Sequence, residues 1–294
     1  MLQIKEREPF SSIVLEVLDD PTKKENIFYL LCYSQLVRRE GSFNIDLERF
    51  LSCAYRNFKN ARNYWKDVLV EMNLFVISDL YGNTYWGKDI YKVEEGGIYL
   101  ISLRHDYLPI FDSISYKALK LWNILSRTVI YRKHLTAQDA VIISTMMFNE
   151  GLYEELKSYC EVCFERYASE FLYFRILYKL SSIYTGDVKK SIDELSAVLK
   201  DIQKIEPVYY GVNTLKLKRD IQYLLEKAER GKSIGPIKIE FVNQKNKKHN
   251  WFRNLLTRIG DMFKKIWKGE SPKRGYSFEG GLCSRNFQTP YISL

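Results

Sequence analysis

The sequence has few of the residues that most often bind metal ions or activate nucleophiles. It contains three histidines and five cysteines in 294 residues. The histidines are too widely separated to form a short-range ligand pair, and the odd, scattered cysteines argue against a disulfide framework. The common nucleotide-binding, hydrolase and zinc-protease motifs are missing as well. No motif in the sequence indicates an enzyme, and we expect no catalytic residue, no metal site and no cofactor.

Long apolar runs are missing too. No stretch approaches the roughly 18–20 apolar residues of a membrane span, and the first ten residues lack the pattern of a signal peptide. Hydrophobic residues make up 46% of the chain and charged residues 28%, which is typical of a folded globular protein. We therefore expect a cytoplasmic protein, with membrane association left open by the C-terminal segment discussed below.

Positive charge is concentrated towards the C-terminus. The net charge is +9, and residues 236–275 alone hold 11 Lys and Arg against 3 Asp and Glu. The first 235 residues are almost neutral, with 33 basic and 32 acidic residues. This asymmetry predicts that a C-terminal arm contacts an anionic partner, either nucleic acid or a lipid surface.

Residues 22–103 have the pattern of three helices followed by a β-ribbon. The first helix is predicted to begin near Thr22 and end at Gly41, and the second begins at Asp46. In the third helix, one apolar face contains Ala61, Trp65, Val68, Leu69 and Met72. Residues 75–103 are rich in β-branched and aromatic residues and are interrupted by two Gly-containing turns, which predicts two or three antiparallel strands.

This order of elements resembles a winged helix-turn-helix domain, most clearly in ARNYWKDVLVEMNLFVI, residues 61–77. In that family the second helix of the turn motif lies in the DNA major groove. The resemblance implies DNA binding, or a protein contact where the fold is used without DNA. The residues it places against DNA are Lys59, Asn60, Arg62, Asn63 and Lys66 on the helix, and Lys88 and Lys92 on or near the wing.

The rest of the chain is predicted to be mainly α-helical. Residues 1–21 form an N-terminal extension, residues 104–135 a connecting helix, and residues 136–231 an all-helical domain. Its segments have similar lengths and short turns, which indicates antiparallel neighbours in a bundle.

The stretch FNEGLYEELKSYCEVCFE, residues 148–165, combines several glutamates with Cys160 and Cys163 on one helix. A structural zinc site needs about two further ligands, and a redox pair needs its reactive cysteine at a helix N-terminus. We therefore interpret the cysteines as buried packing residues. A metalloprotein or hydrolase built on this helix stays as an alternative.

Residues 148–230 resemble the all-helical family called domain of unknown function 309. The matching positions are Phe148, Asn149, Gly151, Tyr153, Glu155 and Glu161, followed by Gly186–Asp187 and by EPVYYGVN from Glu206. Lys157 and Ser158 stand where that family has a His-Glu pair. The resemblance implies an all-helical fold and brings no activity with it.

The C-terminal arm contains the most regular amphipathic pattern in the chain. After a basic linker, residues 232–250, an amphipathic helix is predicted at 251–269, and residues 270–294 are expected to be disordered. The contact residues are Trp251, Phe252, Leu255, Ile259, Phe263 and Trp267 on the apolar face, and Lys264 and Lys265 on the basic face. The helix is suited to an anionic membrane surface, to a groove on a protein partner, or to packing on its own chain.

Taken together, these patterns predict a non-enzymatic DNA-binding protein, regulatory or replication-associated. Its winged helix would contact DNA, and its helical domain would mediate partner binding or formation of a homodimer. The main alternative is a peripheral membrane or scaffold protein that is anchored by the amphipathic helix.

Overall fold

The computed structural model of the protein describes residues 9–56, 61–94, 96–128, 134–186 and 191–242. These residues form a mainly helical fold with one small antiparallel sheet of four strands and a separate two-stranded hairpin, which confirms the predicted fold class. The predicted amphipathic helix, residues 251–269, and the predicted disordered tail, residues 270–294, lie outside the described residues.

The N-terminal half alternates helices with short strands. In chain order it contains α1 (Pro9–Asp19), α2 (Lys24–Glu40), β1 (Ile45–Asp46), α3 (Leu47–Tyr55), α4 (Ala61–Met72), β2 (Phe75–Asp79), β3 (Thr84–Trp86) and β4 (Tyr99–Leu103). A 3₁₀ turn, Gly87–Lys92, follows β3. We call residues 75–103 the β-ribbon.

The sheet has the strand order β1-β4-β2-β3, and every pairing is antiparallel. Phe75 and Ile77 of β2 and Ile101 and Leu103 of β4 are buried. Because strand side chains alternate between faces, these four residues share the face that packs on the helices. In the described part of the chain, this face of the strands is fixed to the helical core.

Local sequence explains where the helices of this half begin and end. The carboxylate of Asp46 accepts a hydrogen bond from the backbone N–H of Arg49 at 2.8 Å, capping α3. Trp65, Leu69 and Met72 of α4 are buried, as expected for one face of an amphipathic helix. The helix α4 stops at Asn73, whose φ of 49° is left-handed.

The C-terminal half is a helical bundle. It contains α5 (Phe111–Thr128), α6 (Ala137–Asn149), α7 (Tyr153–Arg166), α8 (Phe171–Thr185), α9 (Ser191–Ile202), β5 (Val208–Tyr209), β6 (Val212–Asn213) and α10 (Thr214–Glu229). Thr136 and Asp139 form a reciprocal capping box at the start of α6. Gly151, with φ of 72°, lets the chain turn from α6 into α7.

The two halves share one continuous hydrophobic core. The N-terminal extension contributes to it, because Phe10, Val14 and Leu18 of α1 are buried and α1 packs on α7. An ion pair between Asp19 and Arg166 joins the same two helices. The sequence had indicated only an N-terminal extension here, without a helix.

Residues 235–242 lie in the predicted basic linker, for which the sequence also indicates one short strand over residues 237–242, and they pack against the bundle. Ile239 is only 1% exposed, and Phe241 bridges to Val212 of β6 in antiparallel fashion. We call residues 235–242 the strap. Because the strap is fixed, the arm that follows it starts from a defined place on the helical half.

Candidate nucleic-acid interface

The outer side of α4 is the surface that the sequence assigned to DNA. Tyr64 is 59% exposed and Asp67 is exposed, on the side of the helix opposite the buried Trp65 and Leu69. Lys59 and Asn60 lie outside the described residues. Arg62 and Asn63 lie in the first turn of α4, and the structure does not describe their side chains.

Lys66 holds α4 to the β-ribbon. Its ammonium donates hydrogen bonds to the carbonyl oxygens of Val93, at 2.7 Å, and Tyr91, at 3.3 Å. The Tyr91 hydroxyl in turn donates to the Asp67 carboxylate at 2.7 Å, and this bond raises the pKa of Tyr91. The sequence assigned Lys66 to DNA, but in the structure its ammonium is occupied within the domain.

The two ribbon lysines differ in their surroundings. Lys92 is exposed and pairs with Asp89 at 2.6 Å, and the hydrogen bond to Asp89 raises the pKa of Lys92. Lys88 is also exposed, and no carboxylate in the described part of the chain pairs with it. Lys66 on α4 and Lys88 and Lys92 on the 3₁₀ turn thus belong to two elements in contact, and Lys88 is the cation available there.

Negative charge accumulates towards the C-terminal end of α4. Glu71 forms an ion pair with Lys23 and accepts a hydrogen bond from Asn26 at 3.1 Å. Asp67 is engaged by Tyr91. An anion therefore meets no carboxylate in the first turn of α4 and two of them further along the helix.

Arg104 is a structural residue that sequence reasoning missed. Its guanidinium carbon lies 5.2 Å from the ring centroid of Trp86 and 5.4 Å from that of Tyr107. The same group donates to the backbone and side-chain oxygens of Asn73 at 3.3 and 3.2 Å. Arg104 thereby ties the end of α4 to the β-ribbon, and the asparagine that follows Met72 was the available signal for that helix end.

The cysteines of α7 are packing residues, as their position in the helix indicated. Cys160 and Cys163 are both buried. Burial raises the pKa of Cys163 to about 12 and that of Cys160 well above its ordinary value, so neither is a thiolate near neutral pH. No group of three or more His, Cys, Asp or Glu side chains within the described ranges is placed to hold a metal ion.

The fold also brings together two cysteines that are separated in sequence. The sulfur atoms of Cys32 on α2 and Cys53 on α3 lie 2.8 Å apart in the buried contact between these helices. The scattered spacing of the cysteines gave no sign of this contact.

The motif residues of α6 and α7 hold the strap. The side-chain amide of Asn149 donates to the carbonyl of Ile239 at 2.8 Å and accepts from its N–H at 2.7 Å. Tyr184 accepts from the N–H of Ile237 at 3.1 Å. Phe148 and Tyr153 pack on Tyr184, with ring centroids 5.8 and 5.1 Å away.

The remaining motif positions are structural as well. Glu155 is buried, and its carboxylate lies 2.7 Å from the ammonium of Lys117 on α5. Lys157, which replaces the histidine of the resembled family, pairs with the exposed Glu154 at 3.3 Å. The stretch that first suggested chemistry thus joins α5, α7 and the strap.

Comparison with known proteins places the chain in a family. It is similar to an uncharacterized protein of Aquifex aeolicus (strain VF5), with 31% identity over 271 residues, covering 90% of this chain and 87% of the relative. The chain belongs to the family of this Aquifex protein. The similarity takes in both halves of the fold.

No family model matches the chain, and no solved structure matches it. The winged-helix and helical-domain resemblances therefore stay predictions for this family. In the described ranges, no helix combines the length and apolar character that crossing a membrane requires.

Proposed function

We propose that the protein binds duplex DNA by placing the first turn of α4 in the major groove, with the β-ribbon beside the flanking phosphates. The observation that carries this proposal is the arrangement of α2, α3 and α4 on the sheet β1-β4-β2-β3. It leaves one side of α4 uncovered and sets the β-ribbon next to it. In winged helices the corresponding helix and ribbon contact DNA.

The charges favour contact through the N-terminal end of α4. Arg62 and Asn63 lie in its first turn, where helix N–H groups add a partial positive charge. Lys88 supplies a free cation on the adjacent turn. Lys66 instead positions that turn through the carbonyl of Val93, and Lys92 is paired with Asp89 at the surface.

The arm is proposed to add phosphate contacts that do not depend on sequence. It follows the strap, and residues 243–294 hold 11 Lys and Arg against 3 Asp and Glu. Lysine and arginine that neutralise phosphates release counterions, so the affinity should fall steeply as the salt concentration rises.

Fluorescence anisotropy with a labelled duplex tests the proposal. We expect binding that weakens with salt, and a several-fold weaker affinity in both Arg62→Ala and Lys88→Ala. Arg39→Ala is the matched control, because Arg39 is an exposed arginine of the same half and lies at the far end of α2. Absent or salt-insensitive binding, or equal losses in all three variants, would contradict the proposal.

A protein contact is the second candidate function, and the turn between β2 and β3 favours it. Leu80 is 69% exposed and Tyr81 93% exposed, and Ile98 near the start of β4 is 63% exposed. Neighbouring exposed apolar residues of this kind are common in protein interfaces. If two copies meet here, sedimentation velocity will show a dimer that Leu80→Ser/Tyr81→Ser converts to monomer; an unchanged sedimentation coefficient removes this candidate.

A further inference from the structure

A groove with basic residues lies in the helical half, between α10 and the strap. Its cavity volume is about 290 Å³, and its apolar floor includes Leu224 and Ile237. Lys216 and Lys227 reach it from α10, and Lys238 reaches it from the strap. The helix and the strap come close because Asn149 and Tyr184 fix the strap.

The positive charge of the groove is unevenly compensated. Lys216 forms an ion pair with Glu240, and Asp220 also lines the groove. In the part of the chain that the structure describes, Lys227 and Lys238 have no carboxylate partner. These two lysines are therefore the cations that a bound anion would meet.

One of these lysines lies over one face of an exposed aromatic ring, which leaves the other face for a base. Tyr223 is 57% exposed, and the Lys227 ammonium lies 4.6 Å from its ring centroid. Proteins that bind single-stranded nucleic acid combine such features, since cations hold the phosphates while an aromatic ring stacks on an unpaired base. A duplex keeps its bases stacked internally and cannot use the ring in this way.

We infer that this groove binds single-stranded nucleic acid, with backbone phosphates at Lys227 and Lys238 and one unpaired base against Tyr223. The site lies in the helical half, whereas the proposed duplex contact uses α4 and the β-ribbon. The inference about the groove can therefore be tested independently of the duplex contact. DNA and RNA offer the same phosphates and unpaired bases.

The test uses the full chain and fluorescein-labelled 12-mers of oligo(dT) and oligo(U). Lys227→Gln/Lys238→Gln removes two charges from the groove, and Lys218→Gln/Arg219→Gln removes two charges from α10 outside it. We expect the groove variant to bind roughly tenfold more weakly and the control to change less than about twofold. The salt slope of the groove variant should be shallower by about 1.4, for two lost single-strand phosphate contacts.

The aromatic contact has its own pair of variants. Tyr223→Ala should weaken binding by roughly tenfold, while Tyr223→Phe keeps the ring and the affinity. Comparable losses in the two charge variants, or an unchanged affinity in Tyr223→Ala, would overturn the inference, because the arm's net charge would then account for binding.

The same variants separate the groove from the α4 contact. We expect Arg62→Ala to leave oligo(dT) binding unchanged and the groove variant to leave duplex binding unchanged. Unfolding midpoints that match the unmodified chain will show that each variant is folded. A preference between oligo(dT) and oligo(U) will identify which nucleic acid the groove accepts.

Discussion

At the scale of single residues, Asn149 shows how one side chain can fix a whole segment. Its amide satisfies both backbone groups of Ile239, 90 positions away in sequence. An asparagine side chain carries a donor and an acceptor in one plane, so it matches the hydrogen bonds that a neighbouring strand would make. In this structure the asparagine of the stretch thus has a structural role, which is to hold the backbone of the strap.

Replacing Asn149 by Asp tests the role of this amide. A carboxylate still accepts from the Ile239 N–H, but it cannot donate to the Ile239 carbonyl and is repelled by it. We expect Asn149→Asp to lower the free energy of unfolding by about 1–3 kcal/mol, measured by urea denaturation. Gln222→Ala, an exposed change on α10, is the control and should have little effect.

Asp201 allows a prediction of how the stability of the fold changes at acid pH. Burial raises the pKa of Asp201, but hydrogen bonds from Arg175 at 2.7 Å and Lys179 at 3.2 Å outweigh it, so that the pKa is lowered overall. A pKa that is lower in the folded state stabilises the fold above the unfolded value of about 3.9. That stabilisation is lost as pH falls through the folded pKa.

Thermal unfolding between pH 3 and 7 tests this. Asp201→Asn should be less stable than the unmodified chain at neutral pH, and the difference should shrink below about pH 4. Asp193→Asn, an exposed change on the same helix, should behave like the unmodified chain throughout. A difference for Asp201→Asn that stays constant with pH would refute this assignment.

Sequence reasoning identified many of these residues but not their partners. Asn149, Tyr153 and Glu155 were singled out from the motif, yet their contacts with the strap, Tyr184 and Lys117 come from the tertiary fold. Lys66 was predicted to lie on the polar face of α4, and in the structure its side chain reaches the β-ribbon. Its assignment to DNA did not foresee that the carbonyls of Tyr91 and Val93 come within reach.

At the scale of elements, the contact between α4 and the β-ribbon decides how the proposed interface is held. Lys66 supplies two hydrogen bonds to the 3₁₀ turn and its neighbour, and Arg104 fixes the other end of α4. The ribbon is therefore positioned by side chains of the helix as well as by its own strand pairing.

Hydrogen exchange tests this coupling. We expect Lys66→Met to speed amide exchange in residues 87–94, because two carbonyls lose their donor while the sheet stays paired. Lys92→Met is the control, since its ion pair with Asp89 is exposed and exposed pairs contribute little. Equal acceleration in the two variants would refute the role given to Lys66.

The helices and strands themselves were largely predictable, and the exceptions have a common cause. Apolar periodicity and helix caps indicated α2, α3 and α4, and β-branched residues indicated the β-ribbon. The burial of α1 and of the strap was not predicted, because both are held by contacts distant in sequence. Such contacts leave no local pattern.

At the scale of the whole molecule, the strap is the last described segment before the basic arm. The position of the strap decides where the chain should be shortened to remove the arm. A chain that ends at Gly235 loses Ile239 from the core together with its bonds to Asn149. A chain that ends at Val242 keeps both.

We expect the chain ending at Val242 to unfold at the same midpoint as the full chain. The chain ending at Gly235 should be less stable by about 3 kcal/mol, from lost apolar burial and lost hydrogen bonds. Urea denaturation measures both. Equal stability of the two shortened chains would show that the strap contributes nothing.

The chain ending at Val242 also tests what the arm binds. If the amphipathic residues 251–269 meet lipid, the full chain will co-sediment with vesicles containing phosphatidylserine and the shortened chain will not. If the arm meets phosphates of nucleic acid, the shortened chain will have a shallower salt slope on duplex DNA. Equal vesicle sedimentation removes the membrane alternative.

The hydrogen bonds between Asn149 and Ile239 also bear on how this contact is inherited. Asn149 is bonded to main-chain atoms, which every residue type except proline provides at position 239. The side chain of Ile239 is constrained by packing instead, since it fills the core. We therefore expect positions 149 and 239 to vary independently among relatives. An analysis of pairwise covariation would then not detect this contact, although the two residues touch.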